Sequence, residues 1–455
     1  MRTLRKLNPL MLVVIAALLL AACAAPAAPA GDTAAEAQAD EQVTLRMTAL
    51  GGIVAEAVAA LTDNYMEEHP NVEIIVDVQG DDMSWQKTAP TTMFAASDGP
   101  DLSWWWCGRF AQFNDMMDAG LLASLDDLYE SEGWNESFPQ GTLDYFTHTD
   151  GSRYGVNLDA VWTPMVYYNK EIFAEVGVEP PTTWDEFYAL GDKIRAAGYE
   201  TLTTPYEMGV RSHLPDGLML RSWTEQEYQA FLLNWMPDAP EWSLEHKWTD
   251  PNGVRIYQYI MDMADSGLLM EGYAGITDYG QSKGLFLSGK AAMFQDGSWS
   301  TGATSLPEEA TFDWGYFYYP RLDQDNYGEM GSFVANCLIV FEDRDNVDAA
   351  KDVVAYILQP ENMVLWAEKL GGPPGRTDLP TEQVTEVLGP VMAGMLQEIA
   401  AAGAPTLYEG VVPPELLASL KASIDLMLTG SLTPEEAAAM QQEETEKVRA
   451  ELADQ

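Results

Sequence analysis

Cysteine, histidine and basic side chains are scarce in this chain of 455 residues: 3 Cys, 4 His and 24 Lys+Arg stand against 71 Asp+Glu, for a formal net charge of −47. So few cysteines exclude a disulfide-stapled scaffold and permit at most one bridge once Cys23 is set apart, with Cys107 and Cys337 both expected to be free and largely buried. His69, His148, His213 and His246 are scattered without ligand spacing. No CxxC, HExxH or EF-hand pattern occurs either, so no metal site and no cofactor is expected. The shortage of cations excludes a nucleic-acid partner, because the long-range field repels phosphate. Such acidity usually describes a solvated exterior, so it leaves the chemistry of a pocket undecided.

What is present begins with an export-signal layout. Arg2, Arg5 and Lys6 precede the apolar run LMLVVIAALLLAA at 10–22, which is shorter than the ~20 residues a membrane-spanning helix needs. Leu20-Ala21-Ala22-Cys23 looks like a bacterial lipobox, which predicts a signal peptide over 1–22 and a lipidated Cys23 as the mature N-terminus. Cleavage there removes three basic residues and no acid, taking the net charge to −50. The stretch 23–42, CAAPAAPAGDTAAEAQADEQ, has no large apolar residue to bury and reads as a flexible tether.

With 47% hydrophobic and 11% aromatic residues, the remainder is long enough for two cores. Strand-like VTLRMTAL (43–50), helix-like 53–69 and strand-like NVEIIVDV (71–78) predict a parallel βαβ unit. A helix over 85–99 and a buried strand over 100–106 follow. Further strands are predicted at 164–169, 199–205, 290–295, 312–320 and 336–341, among helices at 184–197, 252–266, 348–358 and 415–428. Thr433, Pro434 and Glu436 supply the cap, first-turn proline and capping-box acid of a last helix running towards Leu452. No internal repeat is visible, and the alternation fits two α/β lobes.

Residues 150–156, DGSRYGV, with YYNKEIFAEVGVEPPTTWDEF at 167–187, resemble the signature segment of family 1 extracellular solute-binding proteins. These are ligand receptors of ATP-binding-cassette importers, mostly for sugars. Phe286-Leu287-Ser288-Gly289-Lys290-Ala291-Ala292-Met293, Gly297, Trp299, the run from Gly315 to Pro320 and the helix start from Gly430 to Ala437 extend the likeness over nearly all of 43–450. Trp184 and Phe187 share one helical face behind the Thr183 cap and read as structural. Gly284 to Lys290 satisfies the first seven positions of a phosphate-binding loop, but Ala291 lacks the hydroxyl that magnesium needs and the loop is filled with bulky apolar residues, so nucleotide binding is rejected.

The resemblance implies a two-lobe, type II-like binding-protein fold with a hinge and an interlobe ligand cleft, and a protein without catalytic residues. Its expected partners are a small sugar, the permease subunits of an importer and the membrane through the lipid anchor, with the protein itself a monomer outside the cytoplasm. The division expected is 43–155 in lobe 1, 156–300 in lobe 2, 301–360 returning to lobe 1, and 361–455 as a helical part packed on lobe 2 and the hinge.

Aromatic residues supply the candidate site. Trp104, Trp105 and Trp106 end the 100–106 strand, where alternation sends one or two into the core and leaves another at the tip, and open α/β sheets bind ligands beyond such carboxyl ends. An exposed indole can lie on the apolar face of a sugar ring. Trp299 follows Asp296-Gly297-Ser298, where the resembled family commonly sets an aromatic over its ligand. Asp159 and Trp162 fall where its chain passes the cleft. Asp82 and Trp85 follow the second strand, with helix capping a competing role for the acid. Tyr206 and Trp223 come from the second lobe. Gly331, Ser332 and Arg376 provide turn donors and a cation, although an ion pair on the acidic surface would equally satisfy Arg376. Carboxylates with an aromatic cage also suit a polyamine. Two rival functions stay open on sequence grounds, a secreted polysaccharide-acting enzyme and an adhesive surface lipoprotein.

Overall fold

The computed structural model describes residues 42–80, 85–86, 88–96, 98–107, 110–159, 164–301, 305–321, 336–402 and 407–453. Cys23, Asp82, Trp162, Gly331 and Ser332 lie outside the described residues.

Among the described residues nine strands form two sheets. The first has the order β2-β1-β3-β9-β4, from β1 (Val43–Ala49), β2 (Val72–Val78), β3 (Leu102–Trp106), β4 (Val156–Asn157) and β9 (Asn336–Val340). The second has the order β6-β7-β5-β8, from β5 (Pro164–Asn169), β6 (Glu200–Thr203), β7 (Ala291–Gly297) and β8 (Trp314–Phe317). β1 runs parallel to β2 and β3, joined by the Ile53–Glu68 helix as the βαβ pattern predicts, whereas β9 is antiparallel to β3 and β4. The protein is thus a two-lobe α/β structure with each lobe built on one sheet.

Every strand predicted from β-branched or alternating runs is present within a few residues, because each is a short apolar segment bounded by Gly, Pro or polar turns. The helices are equally local in origin. Thr183 and Glu186 exchange side-chain-to-backbone bonds in a capping box, and Glu436 and Thr433 do the same at the last helix, at 2.9 and 3.2 Å. The 284–291 segment is a helix end followed by β7, in keeping with the rejected phosphate loop. The single helix predicted over 85–99 is instead a short turn at 85–86 and a wide π-type turn over Pro90–Phe94, since Pro90 withholds an amide from regular α-helix bonding.

Three assignments to lobes need correction. β4 lies in the first sheet beside β9, although 156–300 is assigned by sequence to lobe 2. β8 pairs with β5 in the second sheet, although 301–360 is assigned to the return into lobe 1. The Pro360–Leu370 helix packs on the Ile53–Glu68 helix of the first lobe rather than on lobe 2. For the two strands the partner is chosen by register and crossover, which a local apolar pattern does not encode.

Two large cores follow the sheets. Leu45, Met47, Trp104, Leu338 and Trp366 belong to the first, and Phe187, Leu218, Trp223, Trp248 and Ile424 to the second. Trp106 and Leu370 pack against both. The Thr381–Ala402 helix also touches both lobes: Val384, Leu388 and Met392 lie in the first core, while Val391 packs on the Phe294 cluster of the second. It kinks at Gly389, whose φ of 76° is open to glycine, followed by Pro390.

Cys107 and Cys337 are joined by a disulfide, with Cα atoms 5.9 Å apart, which corrects the expectation of two free thiols. Antiparallel β3–β9 pairing sets Trp105 opposite Cys337, so Cys107 lies diagonally across from it.

Candidate functional site

The site is built where the chain passes between the lobes. Asp159 is the last described residue before one crossing, and Pro164, the first after it, pairs with Gly297 at the end of β7. On the first-lobe side, Trp106 at the tip of β3 sits opposite Asn336 of β9, and Asn336 Nδ2 donates to the buried Asp159 carboxylate. Asp159 also forms an isolated bridge with Pro374, and Gly375 N–H donates to Leu158 O at 2.9 Å, so another passage of the chain runs beside this one. The approach is close: a Cβ on Gly375 would stand 2.8 Å from Asn157 Nδ2. The tryptophan triplet divides as alternation predicts. Trp104 is fully buried in the main first-lobe core, Trp105 is fully buried in the Phe113–Phe146 cluster on the opposite face, and half-buried Trp106 spans the lobes.

On the second-lobe side, Trp299 is half-buried just after β7. Its ring lies over Gly297, where a Cβ would fall 1.7 Å from Cζ3, so glycine is what lets the indole rest on the backbone. Trp299 Nε1 donates to Tyr279 Oη at 3.3 Å, and that hydroxyl donates to Asp296 Oδ2 at 2.7 Å, with Ser300 Oγ as a second donor to the same carboxylate. The His213 ring meets the indole edge-on, with centroids 5.4 Å apart.

Asp296 is fully buried, and desolvation pushes its carboxyl up to about 6 against the hydrogen bonds from Ser300, Tyr279 and Gly297 N–H and the charge of Lys283. Through Tyr279 it holds Trp299 in place. A raised carboxyl takes up its proton more readily in the folded state, so its contribution to stability is full below about pH 4 and is lost as pH rises through about 6. Urea unfolding of wild type and Asp296→Asn at pH 4 and pH 7 checks this: wild type should lose stability relative to the variant at the higher pH, and a constant difference would contradict it.

Other predicted residues are placed elsewhere. Trp223 has no exposed surface, stacks on Phe231 at 4.1 Å and donates to Asn252 O at 3.0 Å; it is core because it sits where Phe231 and Trp248 close the helical layer. Arg376 makes a two-pronged pair with Asp378, at 2.9 and 2.7 Å, and donates to Leu358 O at 2.6 Å, so its guanidinium is consumed in bracing the first lobe. Tyr206 donates to Asp425 Oδ1 at 2.7 Å, and Asp425 also pairs with Arg211 at 3.1 Å. Trp85 is half-buried and edge-on to Trp105 at 5.6 Å.

Sequence reasoning does not find Tyr279, Ser300 or His213, whose roles arise only through the fold. His213 is buried, which pushes its imidazole below the ordinary value. Nearby in sequence, Asp216 is buried and accepts from the backbone N–H groups of Tyr408 and Glu409, yet burial and Glu409 drive its carboxyl well above the usual range. Among the described residues no group of three or more His, Cys, Asp or Glu is arranged to hold a metal ion. A separate cavity of about 520 Å³ opens in the first lobe beside Arg46, Asp77, Gln79 and Met93, but Arg46 there is already paired with Asp77 at 2.6 Å and none of the predicted site residues lines it.

The geometry is that of a two-lobe ligand-binding protein, and solved structures share it. A chitin oligosaccharide binding protein superposes with a TM-score of 0.73 at 21% identity, covering 90% of this chain and 99% of that one. Maltose-bound MalE3 of T. maritima gives a TM-score of 0.67 at 19% identity, over 89% and 100% of the two chains. Residues 60–387 match the profile of the bacterial extracellular solute-binding proteins, and the chain belongs to that family. A probable sugar-binding periplasmic protein of Brucella melitensis is 23% identical over 274 residues, 58% of this chain and 59% of that protein. The alignments with the first curated relatives span about three fifths of those proteins' own length.

Proposed function

We propose that this protein is the extracytoplasmic receptor of an ATP-binding-cassette importer, that it captures a carbohydrate between its lobes, and that it delivers the sugar to the permease without bond chemistry. The observation that carries the reading is the placement of Trp106 and Trp299 on the two sides of the passage between lobes, one packed against both cores and the other laid over Gly297. A saccharide lying against both contacts two lobes at once only when they are closed. That differential contact is what shifts the population towards the closed form. The lobes are assigned as 43–159 with 336–388, and 164–321 with 407–453, the kink at Gly389–Pro390 lying between them.

Several features support the rest of the reading. The Cys107–Cys337 bond suits an oxidising compartment, as does the export-signal layout of 1–22. Relatives named as sugar-binding and the sugar-binding structural neighbours favour a saccharide. A thermal-shift screen against mono- and oligosaccharides, polyamines and amino acids tests the ligand class, because a ligand that binds only the native state raises its melting temperature. A saccharide hit is expected; a polyamine hit alone would overturn the sugar assignment. Anchoring through Cys23 is tested by Cys23→Ser, which should release the protein from membranes with binding intact. Continued membrane retention would count against lipidation.

A further inference from the structure

His213 is 7% exposed, and its Nδ1 meets no hydrogen-bond partner among the described residues. It closes the π-helix Tyr206–His213, which follows β6 and packs on β7, the parallel neighbour whose end leads into Trp299. That placement sets its ring edge-on to the Trp299 indole, with centroids 5.4 Å apart and planes inclined by 66°. Trp299 is thus braced from two elements, its N–H by Tyr279, which is held by Asp296, and its ring by His213. A phenyl ring would fill the same place without burying an unmet polar atom, which is costly. What an imidazole offers beyond a phenyl is the capacity to take up a proton. Two charges act on it, the Glu409 carboxylate from the Tyr408–Val411 helix and the Lys421 ammonium from the Pro414–Leu428 helix. Glu409 accepts from Ser212 Oγ, and Lys421 is engaged by Glu207 at 2.9 Å. Asp216, on the Leu214–Ser222 helix, accepts from the N–H groups of Tyr408 and Glu409, and Arg211 is paired with Glu207 and Asp425.

We infer that His213 positions the Trp299 platform and makes capture of the saccharide pH-dependent: as the neutral ring it packs against the indole, and as the imidazolium it moves towards Glu409 and lets the indole go; this rests on the reading that Trp299 carries a sugar ring. Burial pushes the imidazole below its ordinary value and outweighs the opposing pull of Glu409, with Lys421 adding to the effect, so the packed arrangement belongs to the neutral ring. An indole attracts a cation too, but Glu409 offers it a full negative charge. Affinity should therefore be full near neutral pH and fall as the pH drops through the value at which His213 takes a proton from solvent. By reciprocity, bound saccharide favours the neutral ring and lowers that value. Asp296, which titrates at about 6 and acts on the same indole through Tyr279, changes charge in this range as well and has to be removed to isolate His213.

The test is calorimetry between pH 7.5 and pH 4.5, with whichever of maltotriose, chitotriose, xylotriose and galactose wild type binds, on Asp296→Asn alone and combined with His213→Phe or His213→Ala. In Asp296→Asn the Kd should rise at least fivefold from the higher pH to the lower. Both His213 variants should flatten that profile. His213→Ala, which leaves the indole unbraced, should weaken binding at pH 7.5 at least fivefold, with a smaller loss in His213→Phe, which keeps the ring. A merely structural histidine would lower the melting temperature of both variants and move neither the Kd nor its pH profile, and that result would overturn the proposal. Nuclear magnetic resonance of the four imidazoles of wild type needs no variant to fold: one of them should titrate at lower pH with the saccharide present, and four unchanged titrations would also overturn it. Failure of wild type to bind any of the saccharides, or an unchanged Kd in Trp299→Ala, would instead overturn the reading of the site on which the proposal stands.

Discussion

Replacing both half-cystines, as Cys107→Ala with Cys337→Ala, lowers the free energy of unfolding by about 2–5 kcal/mol. The bond closes a loop across a sequence separation of 230 residues, and in the chain-entropy model long loops gain most from closure. Both sulfurs lie in the same buried cluster as Trp105, Phe113 and Ile339, so their loss also loosens a packed region. Trp106 immediately precedes Cys107, and its opposite number Asn336 immediately precedes Cys337, so the bond staples the strand ends that carry the first-lobe part of the site. Denaturant unfolding of wild type with and without reductant, beside the double variant, is the measurement. Reductant should bring wild type down to the variant. Equal midpoints throughout would show two unpaired thiols.

Trp299→Ala weakens saccharide binding by about 1–3 kcal/mol, or roughly 5- to 150-fold in Kd, the loss expected when a ring-on-ring contact of this size disappears. The indole is held before any ligand arrives. It rests on Gly297, its N–H is engaged by Tyr279, and Tyr279 is engaged by the buried Asp296. A platform fixed in this way loses little side-chain freedom on binding, so most of its contact energy is realised. Calorimetry on the variant decides the matter, and an unchanged Kd would remove Trp299 from the site. Trp223 offers the contrast: stacked on Phe231 inside the second core, it serves stability rather than affinity.

The elements are legible in the sequence because their causes are local. Val43–Ala49 and Val72–Val78 are short β-branched runs, and the caps at Thr183 and Thr433 are spelled out within four residues. The sheet to which a strand belongs is a different kind of information. Val156–Asn157 and Trp314–Phe317 carry nothing in their own composition that says which lobe completes them, and sequence places both in the wrong lobe for that reason. The candidate site shows the same division. Alternation along β3 is enough to separate Trp105 from Trp104 and Trp106, since it depends on a two-residue period, and the place of Trp106 at the strand tip leaves it only half-buried. The bracing of Trp299 by Tyr279, 20 residues earlier, depends on a helix folding back beside β7, and a single sequence carries no signal for it. Arg376 misleads because a lone cation in an acidic chain suggests a ligand clamp, whereas Asp378 two residues on already satisfies it.

Small-angle X-ray scattering of the protein with and without a saturating saccharide from the thermal-shift screen tests the central claim most directly. Closure of two lobes on a bound sugar predicts a smaller radius of gyration in the presence of the saccharide. An unchanged radius at a concentration where calorimetry shows the sites filled would contradict capture by closure.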